Sequence, residues 1–101
     1  MISLDVETTG TNPNVHSILA IGAVDFDNPE NQFYGECRAF TGAHMEKEAL
    51  AINGLTEAQA RNPGWQSEED LVRSFITWAK DLRDWTFVGQ NPAFDRSFIE
   101  A

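Results

Sequence analysis

Positions 2–7 alternate strictly between apolar and polar. Ile2, Leu4 and Val6 set against Ser3, Asp5 and Glu7 is the period of a strand, with the apolar set on one face and the acids on the other. Thr8-Thr9-Gly10 then leads into Thr11-Asn12-Pro13-Asn14, a segment rich in turn formers. Positions 17–26 (SILAIGAVDF) form a continuous apolar run with β-branched residues, which predicts a buried strand. A turn is predicted over 27–31 and a third strand over 32–40 (QFYGECRAF). Short links between three strands make an antiparallel meander.

The middle of the chain changes period. Positions 46–52 predict a short helix ended by Asn53-Gly54, and 57–60 predict a further helical turn broken by Asn62-Pro63-Gly64. Ser67-Glu68-Glu69-Asp70 has the form of a capping box, with Ser67 as N-cap and acids in the first turn favoured by the helix dipole. Leu71, Phe75, Trp78, Ala79 and Leu82 follow at helical spacing, so a helix is predicted over 67–82. Positions 86–88 predict a short buried strand, and Gly89-Gln90-Asn91-Pro92 turns the chain into a helix beginning near Ala93. Phe94 and Phe98 begin an apolar face on that helix without a stop signal before Ala101, which reads as a truncation.

Length allows one domain over 1–101, with 42% hydrophobic residues and eleven aromatics (three Trp, one Tyr, seven Phe) to fill a core. Sixteen acids against seven Lys and Arg leave a formal charge of −9. Passive binding to a polyanion is disfavoured by that balance, because phosphate neutralisation needs Lys and Arg. Divalent cations placed between carboxylates and phosphates remove part of the objection. The single cysteine, Cys37, makes no internal disulfide. The first residues carry neither a basic region nor a long apolar stretch, so no leader and no membrane span are expected, and the cytoplasm is the expected location.

Two stretches carry candidate chemistry. Asp5 and Glu7, at i and i+2 on a strand, project to one face roughly 7 Å apart along the chain. Side-by-side acids on an apolar strand cost stability unless a cation neutralises them, and carboxylate oxygens suit Mg²⁺ or Mn²⁺. A strand end emerging into solvent explains the same pair with no function at all. Asn91 and Asp95 lie beyond the carboxyl end of the 86–88 strand, where α/β sheets usually bind ligands. Helix capping and dipole effects account for both of them equally well.

Taken in order, however, Ser3-Leu4-Asp5-Val6-Glu7-Thr8-Thr9-Gly10 resembles the first motif of the DEDD superfamily of 3′–5′ exonucleases. That group includes the epsilon subunit of DNA polymerase III, ribonuclease T and oligoribonuclease. Gly89-Gln90-Asn91-Pro92-Ala93-Phe94-Asp95 resembles its second motif, and Ala49-Leu50-Ala51-Ile52-Asn53-Gly54-Leu55-Thr56 is similar to a stretch often found between the two. The resemblance implies an α/β fold of the ribonuclease H-like type, with the meander on one side of the first strand and the Phe87 strand parallel on the other. It implies a two-metal hydrolysis (Mg²⁺ or Mn²⁺) at the 3′ end of single-stranded DNA or RNA. Asp5, Glu7 and Asp95 would be the catalytic metal ligands. Thr8, Thr9, Gly10, Asn91 and Phe94 would meet the substrate, Gly10 by permitting a close turn, with Phe94 favoured as core. A polymerase or replication complex is the implied macromolecular partner.

The third motif of the superfamily, a His or Tyr followed by a fourth Asp, has no counterpart within 101 residues. His16 and His44 are read as ordinary surface residues. The chain by itself is therefore expected to bind metal weakly and to trim little. The alternative is a non-catalytic nucleic-acid or protein-interaction module on a degenerate nuclease fold.

Overall fold

A computed structural model describes residues 2–80, 82, 87–88 and 99. Strands β1 (Ile2–Thr8), β2 (Ile18–Asp25) and β3 (Asn28–Glu36) form the antiparallel meander, and β4 (Phe87–Val88) adds to it. The sheet order is β3-β2-β1-β4, with β4 parallel to β1, so the first strand lies inside the sheet between the meander and the Phe87 strand. Helices α1 (Lys47–Asn53), α2 (Glu57–Ala60) and α3 (Glu68–Ala79) complete an α/β fold.

The β2–β3 hairpin is tighter than its sequence predicts. Strand β3 begins at Asn28, inside the expected turn, and stops at Glu36, short of Phe40. It is the outer strand of the meander, where the missing N–H of Pro29 leaves no ladder bond unmade. A register shift between Val24 and Asp25 absorbs positions 29–31.

Ser67 caps α3 as expected, its hydroxyl accepting a hydrogen bond from the Asp70 N–H at 3.1 Å. Leu71, Phe75 and Ala79 then fall on one buried stripe at steps of four residues. The helix ends at Ala79, so Leu82 lies outside it while still packing against the core. That core is the face of β1 and β2 carrying Ile2, Leu4, Val6, Ile18, Ile21 and Ala23, closed by the α3 stripe. Phe33, Phe75 and Trp78 interlock there, with ring centroids 5.7–6.0 Å apart.

A second, smaller cluster of Leu19, Ala39, Ala43, Leu50 and Ala60 holds α1 and α2 against the start of β2. Gly54, with φ +69°, closes α1 in the left-handed conformation and donates its N–H to the Ala51 and Leu50 carbonyls. Thr56 and Gln59 form a reciprocal capping box on α2. Among the described residues, no helix is long and apolar enough to cross a membrane.

Candidate active site

The alternation in β1 survives folding intact. Ile2, Leu4, Val6 and Thr8 are buried against the core, Asp5 is exposed and Glu7 half-buried on the opposite face. Their side chains approach closely enough to share a hydrogen bond. Partial burial pushes the Glu7 carboxyl above the usual range, and the Asp5 charge and that hydrogen bond push the same way. Two like charges are thus held together by the strand, which favours a proton or a cation between them.

Beyond Glu7 the chain is fixed by an unusually complete set of local bonds. Thr9 is fully buried, its hydroxyl donating to the His44 carbonyl at 2.7 Å and accepting from the Ser17 N–H at 2.9 Å. Its backbone N–H donates to the Ser17 carbonyl (2.9 Å), and its carbonyl accepts from the Glu46 N–H (2.7 Å). The Thr8 hydroxyl donates to the Gly10 carbonyl at 2.6 Å, and the Thr8 backbone carbonyl accepts from the Asn53 side-chain amide at 3.1 Å. Ser17 is tied in turn to Glu68 at the start of α3. One carboxylate oxygen of Glu68 accepts from the Ser17 hydroxyl and from the Ile18 N–H, both at 2.7 Å. The 8–10 segment is therefore a rigid platform braced by α1, β2 and α3. Every hydrogen-bonding group of Thr9 is spent on this bracing.

His16 departs from the surface role expected of it. It is only 8% exposed, its Nδ1 accepts from the Asn12 N–H at 2.9 Å, and its Nε2 lies 3.5 Å from a Glu46 carboxylate oxygen. His44, by contrast, is exposed. The His16 ring occupies the space where a Cβ on Gly10 would stand. Gly10 has no positive φ, so a close ring contact is what requires glycine there, rather than a special turn. Gly10→Ala should destabilise the chain by about 1–3 kcal/mol through overpacking. A urea midpoint unchanged by Gly10→Ala would show that the ring moves aside freely.

A cleft of about 340 Å³ opens beside this platform, bounded by Glu7, Thr8 and Gly10 on one side and by Glu46, Ile52 and Asn53 of the α1 region on the other. Ile52 is 82% exposed at its rim. A larger depression, about 600 Å³, lies between α3 and positions 38–41 and contains neither Asp5 nor Glu7. The smaller cleft is the one lined by Glu7, and Asp5 stands outside its walls.

Asn91, Phe94 and Asp95 lie outside the described residues. Among the described residues, no three His, Cys, Asp or Glu side chains gather into a metal-binding group. The site as described thus contributes two carboxylates from one strand, an oxygen-only donor set of the kind that hard divalent cations take.

An exonuclease family model, RNase T, matches residues 2–101. The chain belongs to the RNase T exonuclease family. It is 31% identical over 113 aligned positions to ribonuclease T of Vibrio campbellii, covering 99% of this chain and 53% of that protein. Ribonuclease T of Yersinia enterocolitica is 32% identical over 115 positions, with 99% and 52% covered. The chain spans about half the length of these relatives. Its fold matches E. coli exonuclease I in complex with a dT13 oligonucleotide (TM-score 0.77, 19% identity, 97% of this chain and 22% of that one). It also matches the nuclease domain of 3′hExo, a DEDDh family member bound to rAMP (TM-score 0.65, 17% identity, 96% and 54% covered).

Membership in the RNase T family takes in both stretches singled out from the sequence, since the match runs through positions 5, 7 and 95. The acids of the α1 region, Glu46 and Glu48, were not legible as cleft residues. Glu46 is the N-cap of α1 and Glu48 lies in its first turn, and no sequence motif singles either out.

Proposed function

We propose that the protein carrying this chain is a 3′–5′ exonuclease that removes nucleotides from single-stranded DNA or RNA with two divalent cations, Mg²⁺ or Mn²⁺. The observation that carries the reading is the acid pair of β1, with two carboxylates held on one face and one of them pushed above its usual range by burial and by the other. Asp5 and Glu7 fit hard cations in charge and donor type, and Asp95 is proposed as the third ligand. Bound ions would supply Lewis-acid stabilisation of the attacking and leaving oxygens.

The chain's own residues do the rest. Asp5, as the more exposed carboxylate, is proposed to hold both ions, and Glu7 to hold one beside the cleft. The braced 8–10 segment, Thr8-Thr9-Gly10, gives the terminal nucleotide a floor that does not yield. Because its hydrogen bonds are already made, positioning costs little entropy when substrate arrives. Asn91 and Phe94 are proposed to line the far side.

Single-stranded nucleic acid as substrate is supported by the exonuclease I relative seen with dT13, and an SSB/exonuclease I structure supports a replication-linked partner. A polymerase or replication complex in the cytoplasm is proposed accordingly. The test is a time course on single-stranded DNA and RNA labelled at the 5′ end, in Mg²⁺. Stepwise shortening from the 3′ end, absent in EDTA, is expected. Equal shortening by wild type and Asp5→Ala would discard the reading.

A further inference from the structure

The register of the meander places a tyrosine opposite the acid pair. Asp5 pairs with Gly22, and Gly22 pairs with Tyr34, so the three stand in one row on the outer face of the sheet. The next row is Glu7, Ala20 and Glu36. Two strand spacings separate Tyr34 from Asp5, about 10 Å between backbones. Between them the sheet carries only glycine and alanine, leaving a shallow lane from the acids to the aromatic ring.

The Tyr34 ring is placed to use that lane. It is 70% exposed, yet its Cδ1 lies 3.8 Å from where a Cβ on Gly22 would stand, so the ring leans over β2 towards β1. Burial of part of the ring resists ionisation of the phenol first, and the charges of Glu36 and Glu7 act the same way. The ring is therefore neutral, seated against Gly22 and largely open to solvent.

Such a ring compensates for what this surface lacks. No Lys or Arg occurs in β1, β2 or β3, and the chain carries a formal −9, so phosphates find no cationic side chain there. Stacking of a base on an aromatic ring contributes affinity without charge and without regard to sequence. We infer that Tyr34 is a substrate-binding residue, stacking on a base of a single-stranded nucleic acid whose 3′-terminal phosphodiester lies at Asp5 and Glu7. This rests on the exonuclease reading and adds to it the surface that holds the strand as it enters.

Tyr34 is the chain's one tyrosine, so 3-fluorotyrosine labelling yields a single ¹⁹F resonance. The probe is a thymidine pentanucleotide titrated in Ca²⁺, with Ca²⁺ alone as control. Its binding is followed separately by anisotropy of a fluorescent version. A saturable shift of the resonance is expected, with Tyr34→Ala weakening the pentanucleotide by about tenfold and Tyr34→Phe within about twofold of wild type. If the pentanucleotide binds and neither the resonance nor the Tyr34→Ala affinity changes, the inference is wrong and the exonuclease reading stands. A Tyr34→Phe loss equal to that of Tyr34→Ala would overturn it too, since the ring and not the hydroxyl is what should matter. Complete absence of binding would overturn both together.

Discussion

In the protein carrying this chain, Asp5→Asn is expected to lower 3′-end trimming by more than about a hundredfold, and in the metal-free chain it is expected to raise stability. A residue that merely orients a metal ligand is worth about 10–100-fold in activity or affinity, and a direct ligand exceeds that. The stability gain comes from Glu7. Its carboxyl is raised in the folded state by burial first, and then by the Asp5 charge and hydrogen bond. A raised carboxyl means the folded chain holds its proton more tightly than the unfolded one. Ionised Glu7 therefore opposes folding at neutral pH, and stability is recovered as pH falls through the raised value. Asparagine at position 5 removes the charge and leaves only burial. The Asp5→Asn chain should melt higher than wild type at neutral pH in EDTA, and the gap should narrow in mild acid. A lower melting temperature at neutral pH would show that the two acids do not repel each other in the fold.

Phe75→Ala is expected to cost about 3–5 kcal/mol, a large share of the roughly 5–15 kcal/mol that holds a domain of this size together. Phe75 is fully buried at the point where α3 meets the sheet, against the rings of Phe33 and Trp78. Removing it opens a cavity between two layers rather than at a yielding edge. Trp78, whose Nε1 donates to the Asn31 side chain at 2.8 Å, reports the loosening through its fluorescence in a urea titration. A shift below about 1 kcal/mol would mean that the α3 stripe is not what closes the core.

These contacts differ in how far the sequence gives them away. The acid face of β1 was readable because a period of two leaves no choice of side for Asp5 and Glu7 once Ile2, Leu4 and Val6 face inward. Helix α3 was readable because its cap and its stripe agree. The limits of β3 were not. Asn28 and Pro29 are turn formers, and only their place on the outer strand lets them extend. His16 was misread because its burial depends on the absence of a side chain at Gly10 and on Glu46, thirty positions away in sequence. The brace from Glu68 to Ser17 and the row from Asp5 to Tyr34 follow from strand register and helix docking, which local pattern does not encode.

The account is tested most directly by paramagnetic broadening of amide resonances as Mn²⁺ is added to the isotopically labelled chain. Signals of residues around Asp5 and Glu7 and of those around Asp95 should fade together, at the same substoichiometric metal, and Asp5→Asn should abolish the effect at both places. Broadening that spreads evenly over the sixteen acids, or that touches positions 5 and 7 but spares 95, would contradict a shared metal centre.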